Sequence, residues 1–204
     1  MEYRTLFKYG FRLVWWISNS WRFKKLGINS FIHNSLKITP SFIECGRGVY
    51  IYKNCRIEGV NYYNKRMFSP HIIIRDNVSI QQNLHLTCGK SIIIDKNTAI
   101  AANVTITDIH HPYEDIELPI ERQDIITNTV YIGSDSKIYN NTVILPGTCI
   151  GRHVTIGANS VVSGNIPDYC VAVGSPAKIV KRYNFNSKSW EKTKPDGSFI
   201  GILT

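Results

Sequence analysis

The chain has 204 residues, is 43% hydrophobic and 19% charged, and carries a formal net charge of +9. This composition suits one folded principal domain and excludes a disordered polymer. No apolar run reaches the roughly 18 residues that a membrane-spanning helix requires, and five scattered cysteines without a CxxC pair or a secretory signal point to reduced thiols in a cytoplasmic protein.

Residues 2–26 are predicted to form a helix, with Phe7, Phe11, Val14 and Trp15 near one stripe. Arg4, Lys8 and Arg12 recur at every fourth position on another, and Trp15, Trp16 and Trp21 stand beside basic residues. Two readings fit: a helix packed on its own protein's flank, or an amphipathic segment in peripheral contact with a membrane. A second basic group, including Lys178, Lys181 and Arg182, closes the chain, so an anionic partner such as lipid or a phosphorylated cofactor is expected. No nucleic-acid partner is expected, because no helix or zinc-module signature accompanies the charge.

From about Ile38 to Ile166 a six-residue beat governs the sequence. It is clearest in Ile132-Gly133-Ser134-Asp135-Ser136-Lys137, in Ile138-Tyr139-Asn140-Asn141-Thr142-Val143, and in Ile150-Gly151-Arg152-His153-Val154-Thr155. Repeats of this period mark a parallel β-helix, in which each hexad makes one short strand and one corner and three hexads complete a coil. The opening aliphatic points inward, and neighbouring coils supply the core that one coil cannot bury alone. Three segments follow: a helical one over 1–30, a β-helix domain over 31–183, and a tail over 184–204 serving with the N-terminal helix as end caps.

Two stretches break the beat. Asn61 to Pro70 is a small excursion holding Tyr62, Tyr63, Lys65 and Arg66. The larger one, residues 108–128, holds the adjacent pair His110 and His111 with three aspartates and three glutamates. Functional residues concentrate on loops projected from rigid scaffolds, so chemistry is expected here. Read alone, the pair could be solvated loop histidines, a general base, or a metal ligand; no third ligand stands at a sensible spacing, and no metal is expected.

The hexads, the block Ile156-Gly157-Ala158-Asn159-Ser160-Val161-Val162, and Val173-Gly174-Ser175-Pro176-Ala177-Lys178 resemble the left-handed β-helix acyltransferases. The segment Thr107-Asp108-Ile109-His110-His111-Pro112-Tyr113 looks most like that of sugar O-acetyltransferases of surface-polysaccharide biosynthesis. The resemblance implies an all-β, left-handed parallel β-helix and transfer of acetyl from acetyl-CoA to a sugar hydroxyl of an O-antigen, capsule or related glycan. It also implies a homotrimer with active sites between subunits.

His111, just before Pro112, matches the family's catalytic histidine, with His110 the alternative. A carboxylate on the loop (Asp108, Glu114 or Asp115) or a backbone carbonyl would fix its tautomer. The resemblance places Gln81, Asp108 and Tyr113 toward the acceptor. Asn140, Ala158, Ser160, Ser163, Gly164, Lys178 and Lys181 are placed toward the coenzyme, where the lysines have the alternative of being plain surface charges. Lys137 and Tyr139 stand where relatives commonly carry Trp and Gly, which alters the wall near coenzyme or acceptor. N-acetylation of an amino-sugar nucleotide, or a non-catalytic scaffold, are the other readings of the same chain.

Overall fold

The computed structural model describes the backbone of residues 2–200 and the side chains of residues 10–200. Aliphatic residues at every sixth position build three parallel sheets of two- to four-residue strands, the sides of a triangular prism. The first sheet has seven strands, running from Lys25–Leu26 to Asn165–Ile166. The second begins at Phe31–Ile32 and the third at Lys37–Ile38.

Register is strict. In the second sheet Ile32, Ile51, Ile80, Ile100, Ile138 and Ile156 stand one above another, ending on Ala172. The third sheet stacks Ile38, Ile57, Leu86, Ile106, Ile144 and Val162 in the same way. Most of these side chains are fully buried, each worth about 1.5–3 kcal/mol relative to exposure. The outward neighbours along each strand stay partly exposed, which leaves the flat outer faces free for function.

Corners are made by residues in the left-handed backbone region. Asn83, Asn103, Asn141 and Asn159 have φ between 58° and 62° and sit at one corner of successive coils. Asparagine tolerates this conformation better than other side chains with a Cβ. Each amide is donated to the next: Asn83 to Asn103 at 2.9 Å, Asn103 to Asn141 at 3.1 Å, and Asn141 to Asn159 at 2.9 Å.

The ends differ from the sequence-based expectation. Helix α1 covers Glu2–Asn19, a 3₁₀ turn covers Ser20–Arg22, and Lys25–Leu26 is already a strand of the first coil. The β-helix therefore starts before residue 31 and before Ile38, because Leu26 and Ile32 fill core positions the ragged early repeat did not reveal. Trp16 donates its indole N–H to Leu26 O at 3.0 Å, and Trp15 packs edge-on against Phe31 at 5.0 Å, fixing the helix on that coil. Val14, expected on the packed stripe, is exposed instead; the side chains of Arg4, Phe7 and Lys8 lie outside the described residues. At the other end Lys178–Asn184 and Ser189–Lys192 form an antiparallel pair that extends the second sheet, so the hairpin straddles the expected boundary at 184.

Candidate functional site

The large insertion is an ordered flap on the third face. Its neck is short and antiparallel: Ile109–His110 pairs with Ile126–Thr127, and Asn128 N donates to Asp108 O at 2.8 Å. Asp108 itself is fully buried, and its carboxylate accepts from Gly89 N, Lys90 N and Ser91 N at 2.6–2.8 Å. That carboxylate is consumed in pinning the flap's root to the coil below and is not open to an acceptor or to a histidine. Gln123 ties the flap's interior, donating to Asp115 O at 2.8 Å and Leu118 O at 3.1 Å.

The small excursion is a brace for the large one. Tyr62–Tyr63 and Arg66–Met67 form a hairpin whose turn residues Asn64 and Lys65 both have positive φ. From it Tyr63 Oη donates to Glu121, Asn64 Nδ2 donates to Glu121 O at 2.9 Å, and Arg66 pairs with Asp124 at 3.1 Å. Two breaks in the repeat, 58 residues apart in the Tyr63–Glu121 pair, thus form one structure.

Between brace, flap and third face lies a cleft of about 430 Å³. Its floor is Arg56, His85, Thr87, Thr105 and Thr107; its roof is Tyr63, Ile109, His111 and Ile125. Thr87 Oγ1 donates to Thr107 Oγ1 at 2.9 Å, and Thr107 Oγ1 accepts from Ile109 N at 3.1 Å, so the floor is locked to the flap's root. Burial and the Arg56 charge push the His85 imidazole below the usual histidine range. Arg56 is held in turn by Glu58, at 2.7 Å from its Nε, and Lys37 pairs with the same carboxylate.

His111 is about two-fifths exposed, and its Nδ1 lies 3.9 Å from Glu121 Oε2. Tyr63 meets its ring edge-on at 5.5 Å. The same Glu121 carboxylate, by accepting from the Tyr63 hydroxyl, pushes that phenol up to about 12. The carboxylate is beyond hydrogen-bond distance of Nδ1, and Nε2 is the ring nitrogen away from it. His110 points elsewhere, its ring 6.1 Å from that of Tyr113, and neither lines the cleft.

The remaining expected residues fall into separate groups. Gln81 follows a strand of the second sheet and does not line this cleft; His85, four residues on, does. Asn140 and Ala158 occupy adjacent coils at the corner between second and third faces, where Asn159 N donates to Asn140 O at 3.0 Å. Exposed Ser163 and Gly164 lie just past the third face's last strand, at its far edge. Exposed Lys178 and Lys181 lie on the hairpin beside Val173 and Val171. Ser160 is fully buried: its hydroxyl donates to Gly157 O at 2.7 Å and accepts from Gly174 N at 3.1 Å, which spends it on the corner. Among the described residues no group of three or more His, Cys, Asp or Glu is placed to hold a metal ion.

Sequence reasoning missed Tyr63, His85, Arg56 and Glu121. For Tyr63 the signal was present as the first break in the repeat; for His85 it was a polar outward position one coil below Thr105.

The family model for the bacterial transferase hexapeptide (six repeats) matches residues 129–164. The chain carries hexapeptide repeats and folds as a left-handed parallel β-helix. This β-helix protein is 39% identical over 128 residues to the Escherichia coli K12 protein named for lipopolysaccharide biosynthesis O-acetyl transfer, WbbJ, covering 59% of this chain and 65% of that one. A Mycobacterium tuberculosis protein named as an acetyltransferase is 34% identical over 191 residues, covering 87% of this chain and 60% of its own. The chain thus spans less than two thirds of the length of either relative. In fold it matches AntD, an N-acyltransferase from Bacillus cereus solved with dTDP and coenzyme A, with a TM-score of 0.67 and 19% identity over 84% of this chain and 90% of that one.

Proposed function

We propose that this β-helix protein transfers an acetyl group from acetyl-CoA to a hydroxyl of a surface-glycan sugar, with His111 as general base. The observation that carries the reading is His111 itself: an exposed imidazole near a carboxylate, roofing a cleft on a hexapeptide scaffold. Likeness to the lipopolysaccharide-named relative supports a glycan acceptor.

Coenzyme A fits the residues present. The third face continues from the cleft past outward Val143 and Val161, flanked by exposed Asn140 and Ala158 on one corner and by Ser163 and Gly164 on the other. At Gly164 φ is +72°; its carbonyl accepts from Cys149 N at 2.9 Å, and the space a side chain would fill is open. Ala177 N donates to Val161 O at 2.8 Å, which brings Lys178 to the end of that path with charge for phosphates, and Lys181 follows three residues on along the same strand.

The coenzyme supplies an activated thioester; the chain supplies position and proton transfer. A sugar hydroxyl is a weak nucleophile near neutral pH, and His111 Nε2 takes its proton as oxygen bonds to the carbonyl carbon. The C–O bond forms as the C–S bond breaks, and the proton held on His111 passes to the departing thiolate. Glu121, fixed by Tyr63, stands near enough to favour the imidazolium that forms. Ile116, Leu118 and Ile120, exposed on the flap, support a trimer in which each flap covers a neighbour and closes the acceptor site.

The test is thiol release from acetyl-CoA with a panel of glycans, lipid-linked sugars and amino-sugar nucleotides, with the acceptors analysed by mass spectrometry. O-acetylated glycan is the expected product. Turnover with amino-sugar nucleotides alone, or coenzyme binding without turnover on any acceptor, overturns the reading.

A further inference from the structure

Helix α1 carries two apolar stripes on opposite sides. One, with Trp15 and Trp16, is turned to the first coil. The other consists of Leu13, Val14 and Ile17, continued by Trp21 just beyond the helix; these are 44%, 64%, 60% and 80% exposed. A packed surface helix ordinarily presents polar residues on its outer side. Here the outer side is the apolar one.

Charge around the stripe identifies what it meets. Between Tyr3 and Ile43 the chain has no acidic residue and seven lysines and arginines. Arg12 is folded over the Tyr50 ring at 4.4 Å and Lys24 pairs with Glu44 at 3.0 Å. Among the described residues Arg22 makes no ion pair, and it adjoins Trp21 in the Ser20–Arg22 turn at the end of the stripe; Lys25 lies on the first sheet beside Glu44 and Asp76. Trp21 already donates its indole N–H to Ser18 O at 3.0 Å, so its ring enters an apolar layer without stranding a donor. Docking against a second copy would press two acid-free basic segments together.

We infer that this stripe seats in the headgroup layer of an anionic bilayer, apolar residues immersed and Arg22 on lipid phosphate. The helix lies on the surface: no described helix is long and apolar enough to cross a membrane. The inference stands apart from the acetyl-transfer reading, since it uses no residue of the cleft.

The experiment is co-sedimentation of the full chain with phosphatidylglycerol-containing vesicles and with pure phosphatidylcholine vesicles. Brominated lipid is added to quench inserted tryptophan. Wild type should pellet with the anionic vesicles and be quenched, and Trp21→Ala should lose much of the quenching. Ile17→Glu, whose melting temperature should match wild type because the side chain is exposed, should partition at least about tenfold more weakly. Absence of wild-type binding, or equal binding by Ile17→Glu, overturns the inference. So does concentration-dependent self-association that Ile17→Glu abolishes in the absence of vesicle binding.

Discussion

Glu121 holds two groups at once: its carboxylate accepts the Tyr63 hydroxyl and stands 3.9 Å from His111 Nδ1. Tyr63 is 58 residues from Glu121 whereas His111 shares its flap, and the Tyr63 contact ties the brace hairpin to the roof of the cleft. At 3.9 Å and this exposure the Glu121 charge favours the imidazolium by about 0.2–1 kcal/mol, so Glu121→Gln should lower kcat only a few-fold with coenzyme affinity unchanged. It should also return the Tyr63 phenol from about 12 toward the ordinary value near ~10, read by NMR of ring-labelled tyrosine. An unchanged Tyr63 titration would show that the two side chains do not meet.

Asp108 is a stability residue. Replacing it by alanine strands the N–H groups of Gly89, Lys90 and Ser91, each costing about 1–3 kcal/mol when buried without a partner. Chemical denaturation should show a loss of at least about 3 kcal/mol for Asp108→Ala, with Asp108→Asn intermediate because one acceptor oxygen remains. If Asp108→Ala melts like wild type, the carboxylate is not the pin described above.

The asparagine corner makes a graded prediction. Asn103 has φ 61° and both accepts from Asn83 and donates to Asn141. Alanine loses the ladder bonds and adds the left-handed penalty of about 1–2 kcal/mol. Glycine loses the bonds alone. Thermal melting should therefore rank wild type above Asn103→Gly, and Asn103→Gly above Asn103→Ala.

His85 should titrate abnormally. Burial and the Arg56 charge disfavour its protonated form in the folded protein, so its folded pKa lies below its unfolded one. The unfolded chain then binds the proton first. This group's contribution is fully present above the unfolded value of about 6.5, and stability falls as pH drops below it. NMR of the imidazole protons should place its midpoint below that of a free histidine. Arg56→Gln, by removing a repelling charge, should move the midpoint up; no movement would contradict the assigned cause.

Much of the fold was legible because the hexad is a local code. Ile100, Ile138 and Ile156 announce their inward positions by spacing alone, and the asparagines at the corners are chosen by backbone conformation. The first coil was not legible, since Leu26 and Ile32 lack an uninterrupted repeat and helix propensity runs on through Arg22. The flap was recognisable as an interruption, and the histidine singled out on it, His111, lines the cleft. Its partners were not recognisable, because Tyr63 reaches Glu121 only when two interruptions dock across a face. Asp108 misled for the complementary reason: a carboxylate beside histidines reads as chemistry until its three backbone donors are seen.

The most direct test is steady-state acetyl transfer by wild type and His111→Ala on an acceptor that wild type acetylates, with coenzyme A affinity measured by calorimetry on both. The account predicts a fall in kcat of about 10²–10⁴ at unchanged coenzyme affinity. Transfer by His111→Ala at the wild-type rate would contradict it.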